Sequence, residues 1–257
     1  MWTQTLYFLG GLLSLPLLPI LAWQGKRVRK NIPDVPEAEA PFEGSVGEAK
    51  ANLRLLTLGE STIAGVGVDK HQNGITGQLA EELHRLSGRG VCWKVLAKSG
   101  YTAQVVCEQL VPQIPATPFD IIVVGLGGND TFKLNSPGKW RKDFIHLIQA
   151  IQKRQPQSKV VIANMPPVGN FPAFPKLMQL VLGGLVRLHG RSIRDLPHLF
   201  ERVYYIDQHI HFEEWLDKVE GTYSIEEFFS DGVHPAPITY SLWGKEIAQY
   251  IHDQQLL

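Results

Sequence analysis

The sequence predicts an α/β protein in which helices cover both faces of a five-stranded parallel sheet, giving three layers, with a transmembrane helix in front of them. Three observations predict this. Short apolar runs alternate with segments of helical periodicity from residue 52 onward, polar turns follow the apolar runs, and an uncharged apolar stretch lies at the N-terminus. With 257 residues, 44% of them apolar, the chain can bury one sizeable core.

The N-terminal segment from Thr5 to Trp23 has no charged residue, and a membrane span needs about 20 apolar residues. Pro16 and Pro19 are expected to kink this helix. A basic run, residues 26–30, follows the segment, no basic residue precedes it, and a small-residue cleavage site is poorly formed. The charge bias therefore predicts an uncleaved single-pass membrane anchor with the rest of the chain on the cytoplasmic face, a periplasmic or extracellular face being the alternative.

Composition divides the chain into three parts. Residues 1–24 are the predicted anchor, and residues 25–51 are a basic juxtamembrane segment followed by a linker rich in proline, alanine and glutamate. Residues 52–257 form the predicted globular domain. The formal net charge is zero, so no basic excess points to a nucleic-acid partner. Cys92 and Cys107 form neither a disulfide framework nor a metal motif. Nothing in the sequence sets an oligomeric state.

Five apolar runs are predicted to form the strands of the sheet: 53–58, 92–97, 120–126, 159–164 and 203–207. Helices are predicted near 75–87, 102–112, 138–154, 175–195 and 238–253. Five alternating strands fit a flavodoxin-like winding better than an eight-stranded barrel. Such a sheet binds its ligands at the carboxyl ends of the strands, so the turns after the strands are the candidate site.

Those turns contain chemically useful residues. Ser61 follows the first strand, Gly100 the second and Asn129 the third, while Asp231 and His234 precede the last helix. A serine hydroxyl becomes a good nucleophile when an imidazole accepts its proton, and a carboxylate holds that imidazole in the correct tautomer. Backbone N–H groups of Ser61 and Gly100, with the amide of Asn129, could stabilise the resulting oxyanion. A helix cap for Ser61 and a turn former for Asn129 are the structural alternatives.

In their order along the chain these residues resemble the four motif blocks of the SGNH hydrolases, also called the GDSL esterase and lipase family. The matching segments are Gly59-x-Ser61, Gly100, Gly127-Gly128-Asn129-Asp130 and Asp231-x-x-His234-Pro235. The resemblance covers the globular part from residue 52. It implies Ser61 as nucleophile, His234 as base, Asp231 as its partner, and Ser61, Gly100 and Asn129 as the oxyanion hole.

The resemblance also implies an esterase that uses no metal and no other cofactor and acts on small or lipid-like esters. A lysophospholipase, a thioesterase and a sugar O-acetyl esterase are narrower versions of the same activity. A non-catalytic, membrane-tethered binding module that keeps the fold is the alternative from another class. Asp207, His209 and His211 could share one face of an extended segment, but no fourth ligand suggests itself, so no metal site is predicted.

Three further residues carry expectations. Glu60 stands where the family usually has aspartate, and we expect its carboxylate to brace the nucleophile turn through neighbouring backbone N–H groups. Asp130 is expected to be a structural brace rather than a second base. His71, the histidine nearest to Ser61 in sequence, is expected to be exposed in a loop.

The segment from residue 171 to 191 is apolar on nearly every helical position. A core helix explains this pattern. The alternative is a helix that walls or covers an acyl-binding pocket beside the membrane, in which Leu182 and Leu185 would contact the substrate.

Overall fold

The computed structural model describes residues 2–48, 52–219 and 221–257, and contains a six-stranded sheet. Its strands are β1 (Glu43–Val46), β2 (Leu53–Gly59), β3 (Val91–Ala97), β4 (Ile121–Gly125), β5 (Lys159–Ile162) and β6 (Val203–Tyr205). Their order is β1-β3-β2-β4-β5-β6, and every pair is parallel except β1 with β3. The five parallel strands confirm the predicted α/β fold and have the flavodoxin-like order.

The central strands are apolar because both of their faces are covered. Leu55, Leu56 and Leu58 of β2 are completely buried, as are Ile121 and Ile122 of β4. The register pairs Gly59 at the end of β2 with Gly125 at the end of β4. A Cβ atom at Gly59 would lie 2.2 Å from the Gly125 carbonyl oxygen. The segments that follow β2 and β4 therefore leave the sheet close together, at the edge where the candidate site was predicted.

Helices cover both faces of the sheet. The longer helices of the globular part are α3 (Ile75–Ser87), α4 (Ala103–Gln109), α6 (Pro137–Arg154), α7 (Lys176–Ile193) and α10 (Pro237–Asp253); α5 (Gly128–Phe132), α8 (Leu196–Leu199) and α9 (Phe212–Leu216) are short. Helices α3 and α10 pack against each other on one face, while α6 packs between α4 and α7 on the other. The predicted helix positions are confirmed to within a few residues.

The N-terminal helix is long and apolar enough to span a membrane or to act as a signal sequence. It consists of α1 (Trp2–Ser14), a 3-10 turn containing Pro16 (Leu15–Leu17) and α2 (Leu18–Asn31). It is docked on the globular part. The Tyr7 hydroxyl donates to the Leu134 carbonyl oxygen at 2.9 Å, and the Gly138 N–H donates to the Gln4 side chain at 2.8 Å.

The segment predicted as an extended linker differs from that expectation. Residues 25–31 continue α2, and residues 43–46 form the antiparallel edge strand β1. The Glu37 carboxylate accepts from the Ser99 N–H at 2.7 Å and pairs with Lys98. A strand of four residues that is half-exposed is too short to show an alternating pattern in the sequence. Only glycine fits at position 44, because a Cβ atom there would lie 2.4 Å from the Trp93 ring.

Helix α10 is tied to the turn after β2 by one buried hydrogen bond. The Tyr240 hydroxyl donates to the Val66 carbonyl oxygen at 2.7 Å, and the Tyr240 side chain is completely buried. The Val66 N–H in turn donates to the Ser61 carbonyl oxygen. The position of the residues after β2 therefore depends on α10, which follows the last turn of the predicted site.

Replacement of Tyr240 by phenylalanine leaves the Val66 carbonyl oxygen buried without its donor. We expect Tyr240→Phe to lower the free energy of unfolding by about 1–3 kcal/mol, as is typical for such a group. The measurement is a guanidinium titration of the full chain in detergent. Tyr250→Phe is the control, because that hydroxyl makes a longer bond of 3.2 Å at a partly buried position. Equal stability of Tyr240→Phe and the wild type would contradict this role.

Candidate active site

The predicted site residues lie in turns at the carboxyl edge of the parallel strands. Ser61 follows β2, Gly100 follows β3 and Asn129 lies in α5, directly after β4. The turn from Asp231 to His234 precedes α10. Ser61 and Asn129 are half-buried and Gly100 is exposed, so these groups face a region that solvent can reach.

Asp231 and His234 form a directly bonded pair. His234 Nδ1 lies 2.7 Å from Asp231 Oδ2, and the other carboxylate oxygen accepts the N–H groups of Val233 and His234 at 2.9 and 2.7 Å. Burial by itself would raise the pKa of Asp231, but the hydrogen bonds from the His234 side chain and backbone outweigh it and lower the pKa. Because an ionised carboxylate only accepts, His234 donates its Nδ1–H and keeps Nε2 as the basic nitrogen.

Gly232 makes this compact turn possible. Its φ of +84° lies in the left-handed region, and a Cβ atom there would lie 2.9 Å from the Ala173 side chain. The turn is closed by the Ser230 N–H, which donates to the His234 carbonyl oxygen at 2.8 Å. The Asp231 side chain is only 1% exposed, whereas that of His234 is 25% exposed. The imidazole therefore remains accessible while its carboxylate partner is shielded.

The turn of Asp231 and His234 packs against the segment after Ser61. A Cβ atom at Gly67 would lie 2.6 Å from both the Pro235 carbonyl oxygen and the Ser230 hydroxyl, so glycine allows the close approach. Among the hydrogen bonds of the described residues, none joins the Ser61 hydroxyl to His234. Hydrogen bonds of this kind are commonly long before a substrate is bound.

Glu60 connects the turn of Ser61 to that of Asn129. Its two carboxylate oxygens accept the backbone N–H groups of Gly128 and Asn129 at 2.7 and 2.9 Å, and one of them also accepts the Asn129 side-chain amide. The expected brace is therefore present, but its donors belong to the turn after β4 and not to the nucleophile turn itself. A glutamate side chain is long enough to reach across from the neighbouring strand.

Burial raises the pKa of Glu60 to about 7, well above its ordinary value. The N–H donors of Gly128 and Asn129 act in the opposite direction, since they favour the ionised carboxylate, while the nearby Asp130 raises the pKa further. Glu60 therefore changes its charge near neutral pH. The charged form is the one that best satisfies its three N–H donors.

The three predicted oxyanion donors are in different states. Within the described part of the chain, the backbone N–H groups of Ser61 and Gly100 have no acceptor. Gly100 has a φ of +82°, which favours glycine at this turn. The Asn129 amide nitrogen donates to Glu60 and, at 3.3 Å, to the Tyr101 carbonyl oxygen. Both of its hydrogens are therefore engaged, and the amide links the turns after β2, β3 and β4.

Asp130 is a structural brace, as predicted. Its carboxylate accepts the Ala103 N–H at 2.9 Å and the Asn135 amide at 2.6 Å, and the side chain is completely buried. The prediction for His71 is wrong, because this residue is only 2% exposed and packs on the Phe42 ring at 5.2 Å. The segment before β1 packs here, through Phe42 on His71 and the bridge from Glu39 to Lys70, whereas an extended linker was expected.

Leu182 and Leu185 line a cavity of about 920 Å³ between α7 and the N-terminal helix, here named the apolar groove. Its other lining residues are mainly leucines and glycines of these helices, with Phe132 and Leu134 closing one side. Ser61, Gly100, Asn129, Asp231 and His234 are not part of this lining. The two predicted substrate-binding leucines and the other site residues therefore do not line one common cavity.

The chain belongs to the GDSL-like lipase/acylhydrolase family, whose sequence model matches residues 57–242. This range contains every residue of the candidate site. No curated protein sequence matches the chain significantly.

Solved structures support the fold. A putative GDSL-like lipase from Parabacteroides merdae superimposes with a TM-score of 0.61 at 14% identity, covering 80% of this chain and 96% of the other. The protein TesA gives a TM-score of 0.58 at 19% identity, covering 79% and 99%. The lipase/acylhydrolase from Enterococcus faecalis gives 0.51 at 19% identity, covering 79% and 96%.

The raised pKa of Glu60 predicts a pH dependence of stability. A carboxyl group whose pKa is raised on folding stabilises the protein fully below its unfolded value and loses this contribution as the pH rises through about 7. Between pH 5 and pH 8 we expect the wild type to lose up to about 3 kcal/mol more unfolding free energy than Glu60→Gln, which cannot ionise.

The measurement is a set of denaturant titrations of both proteins across this pH range. Glu201→Gln, at an exposed position, is the control and should behave as the wild type does. The same pH dependence in the wild type and in Glu60→Gln would show that Glu60 is not the titrating group.

Proposed function

We propose that the protein is a membrane-anchored serine esterase that hydrolyses carboxylic esters through an acyl-enzyme on Ser61. The observation that carries the proposal is the hydrogen bond of 2.7 Å between Asp231 and His234, at the same edge of the sheet as Ser61. Membership of the GDSL-like lipase/acylhydrolase family supports ester hydrolysis in general. The accessible imidazole next to a shielded carboxylate supports a base that acts on a serine.

In the proposed first step, His234 Nε2 takes the proton from the Ser61 hydroxyl as Oγ bonds to the carbonyl carbon of the ester. The electron pair of the carbonyl double bond moves to its oxygen, giving a tetrahedral oxyanion. Collapse of this intermediate re-forms the carbonyl and breaks the bond to the alcohol, which receives the proton from His234. Asp231 stabilises the imidazolium in both stages.

In the second step, His234 deprotonates a water molecule as its oxygen attacks the acyl carbon. Collapse of the new intermediate breaks the bond to Ser61 Oγ, which takes the proton back from His234, and the acid is released. The backbone N–H groups of Ser61 and Gly100 suit the oxyanion, because neither has a protein acceptor among the described residues. Asn129 would add a third donor by turning its amide away from Tyr101 or Glu60. Protonation of Glu60 weakens the hydrogen bond that its carboxylate accepts from the Asn129 amide.

Anchoring through the N-terminal helix is the second part of the proposal. The helix exposes large apolar side chains outside the apolar groove, among them Trp2 at 72% and Phe8 and Leu12 at 64%. An exposed apolar surface of this kind is costly in water and favourable in lipid. The basic run after the helix favours the cytoplasmic face for the domain. Protease accessibility of the domain in intact cells distinguishes the two orientations.

The same geometry is compatible with a lysophospholipase, a thioesterase or a sugar O-acetyl esterase. An ester panel that varies acyl length and leaving group separates these activities. The non-catalytic binding module differs in one measurable property, because its serine would not be activated. Labelling of the folded protein by a fluorophosphonate at Ser61 supports the enzyme, and no labelling supports the binding module.

Removal of the nucleophile should abolish the reaction. We expect Ser61→Ala to lose p-nitrophenyl ester hydrolysis by at least about 10³-fold while it keeps the wild-type melting temperature. Ser99→Ala is the matched control, because this serine lies in the neighbouring turn without a predicted role. Full activity in folded Ser61→Ala would reject the assignment.

Replacement of the carboxylate should impair the base without removing it. Asp231→Asn keeps the size of the side chain but removes its negative charge. The His234 Nδ1–H then has no charged acceptor that fixes the tautomer and stabilises the imidazolium. We expect kcat to fall by about 10³-fold or more, with a much smaller effect on KM. Steady-state kinetics on the wild type and on Asp231→Asn measure both constants. A loss confined to KM would indicate substrate binding as the role of Asp231.

A further inference from the structure

The apolar groove is a large unfilled space between two helices that face each other with small residues. Gly10 and Gly11 of α1 and Gly184 of α7 line it, and a Cβ atom at any of them would have no atom within 4 Å. Helices α1 and α7 contact each other, and these glycines leave the rest of the space between them open. An apolar groove of about 920 Å³ is large enough for an apolar ligand of considerable length.

A second cavity, of about 350 Å³, adjoins the groove and is here named the polar cavity. It lies beyond the carboxyl ends of β5 and β6, and polar groups including Asn170 and His209 line it. The two cavities share only Arg187 and Arg191 in their linings. These two arginines therefore stand between an apolar space and a polar one.

The charges at this boundary are unbalanced. Arg194 in the polar cavity is paired with Asp207 at 2.5 Å, and Glu213 is the other acid of the lining. Within the described residues, neither Arg187 nor Arg191 has an ion-pair partner. Two such guanidinium groups are well suited to a phosphate group, which they can bind through several parallel N–H donors.

We propose that the two cavities together form a binding site for an anionic membrane phospholipid. Its acyl chain lies in the apolar groove, and its phosphate lies at Arg187 and Arg191 with the remainder of the headgroup in the polar cavity. The catalytic residues proposed above line neither cavity. The lipid is therefore a bound ligand that fixes the N-terminal helix against α7, and it is not the ester that reacts at Ser61.

The test uses the full chain in detergent, carrying Ser61→Ala so that binding is measured without hydrolysis. The probes are phosphatidic acid and phosphatidylcholine with the same fluorescent acyl chain. We expect the Kd for phosphatidic acid to be at least 10-fold lower. Equal affinity for the two lipids would overturn the proposal, and this comparison needs no variant at the site.

Variants separate the two halves of the site. We expect Arg187→Gln with Arg191→Gln to weaken phosphatidic acid binding at least 10-fold and to leave phosphatidylcholine unchanged. We expect Gly184→Phe, which fills the groove, to weaken both at least 10-fold. The controls, Lys142→Gln with Lys153→Gln and separately Gly25→Phe, lie outside both cavities and should bind as the parent does.

Unchanged binding in folded Gly184→Phe would exclude the groove, and unchanged binding in the double arginine variant would exclude the phosphate site. An affinity for inorganic phosphate equal to that for phosphatidic acid would show that the acyl chain contributes nothing to binding and would contradict a lipid occupant. Because all measurements are made without the nucleophile, an absence of esterase activity in the wild type would not affect them.

Discussion

The buried carboxylate of Glu60 is the interaction on which the geometry of the candidate site depends. Parallel strands bring their carboxyl ends to one edge, but the turns that follow are free to diverge. Glu60 prevents this by accepting three N–H groups from Gly128 and Asn129. The Asn129 amide extends the link to Tyr101 after β3. Glu60, which is only 5% exposed, thus joins the turns after β2 and β4, and Asn129 adds the turn after β3.

The pair of Asp231 and His234 is attached to this framework from the other side. Its position depends on close packing at Gly67 and on the hydrogen bond from Tyr240 to Val66, so α10 sets where the imidazole lies relative to Ser61. Buried hydrogen bonds of Glu60 and Asn129 position the oxyanion donors, and a compact, more accessible turn carries the base His234. In the structure the Asn129 amide is engaged by its neighbours, which makes Glu60 the residue that sets its availability.

Much of the fold could be predicted because its determinants are local. The runs that became β2 to β6 are apolar since both faces of the sheet are covered, and the helices between them have clear periodicity. Asp231 and His234 are three residues apart, so their pairing could be inferred from one turn. The link from Glu60 to Asn129 joins residues 69 positions apart, and no local pattern encodes it. Strand β1 was not predicted, because the need for glycine at position 44 arises from its packing against Trp93, a contact that the local sequence does not show. For α7, both a core helix and the wall of an apolar pocket stayed open, because a helix that is apolar on nearly every position does not reveal which face packs against its neighbours.

A crystal structure of the protein after reaction with a phosphonate ester shows whether Ser61, His234 and the backbone donors act together on one ester group. We expect phosphorus bonded to Ser61 Oγ, its free oxygen within about 3.2 Å of the Ser61 and Gly100 backbone nitrogens, and His234 Nε2 facing Oγ or the leaving-group position. A phosphorus atom on another residue, or an adduct on Ser61 whose oxygen points away from these donors, would contradict it.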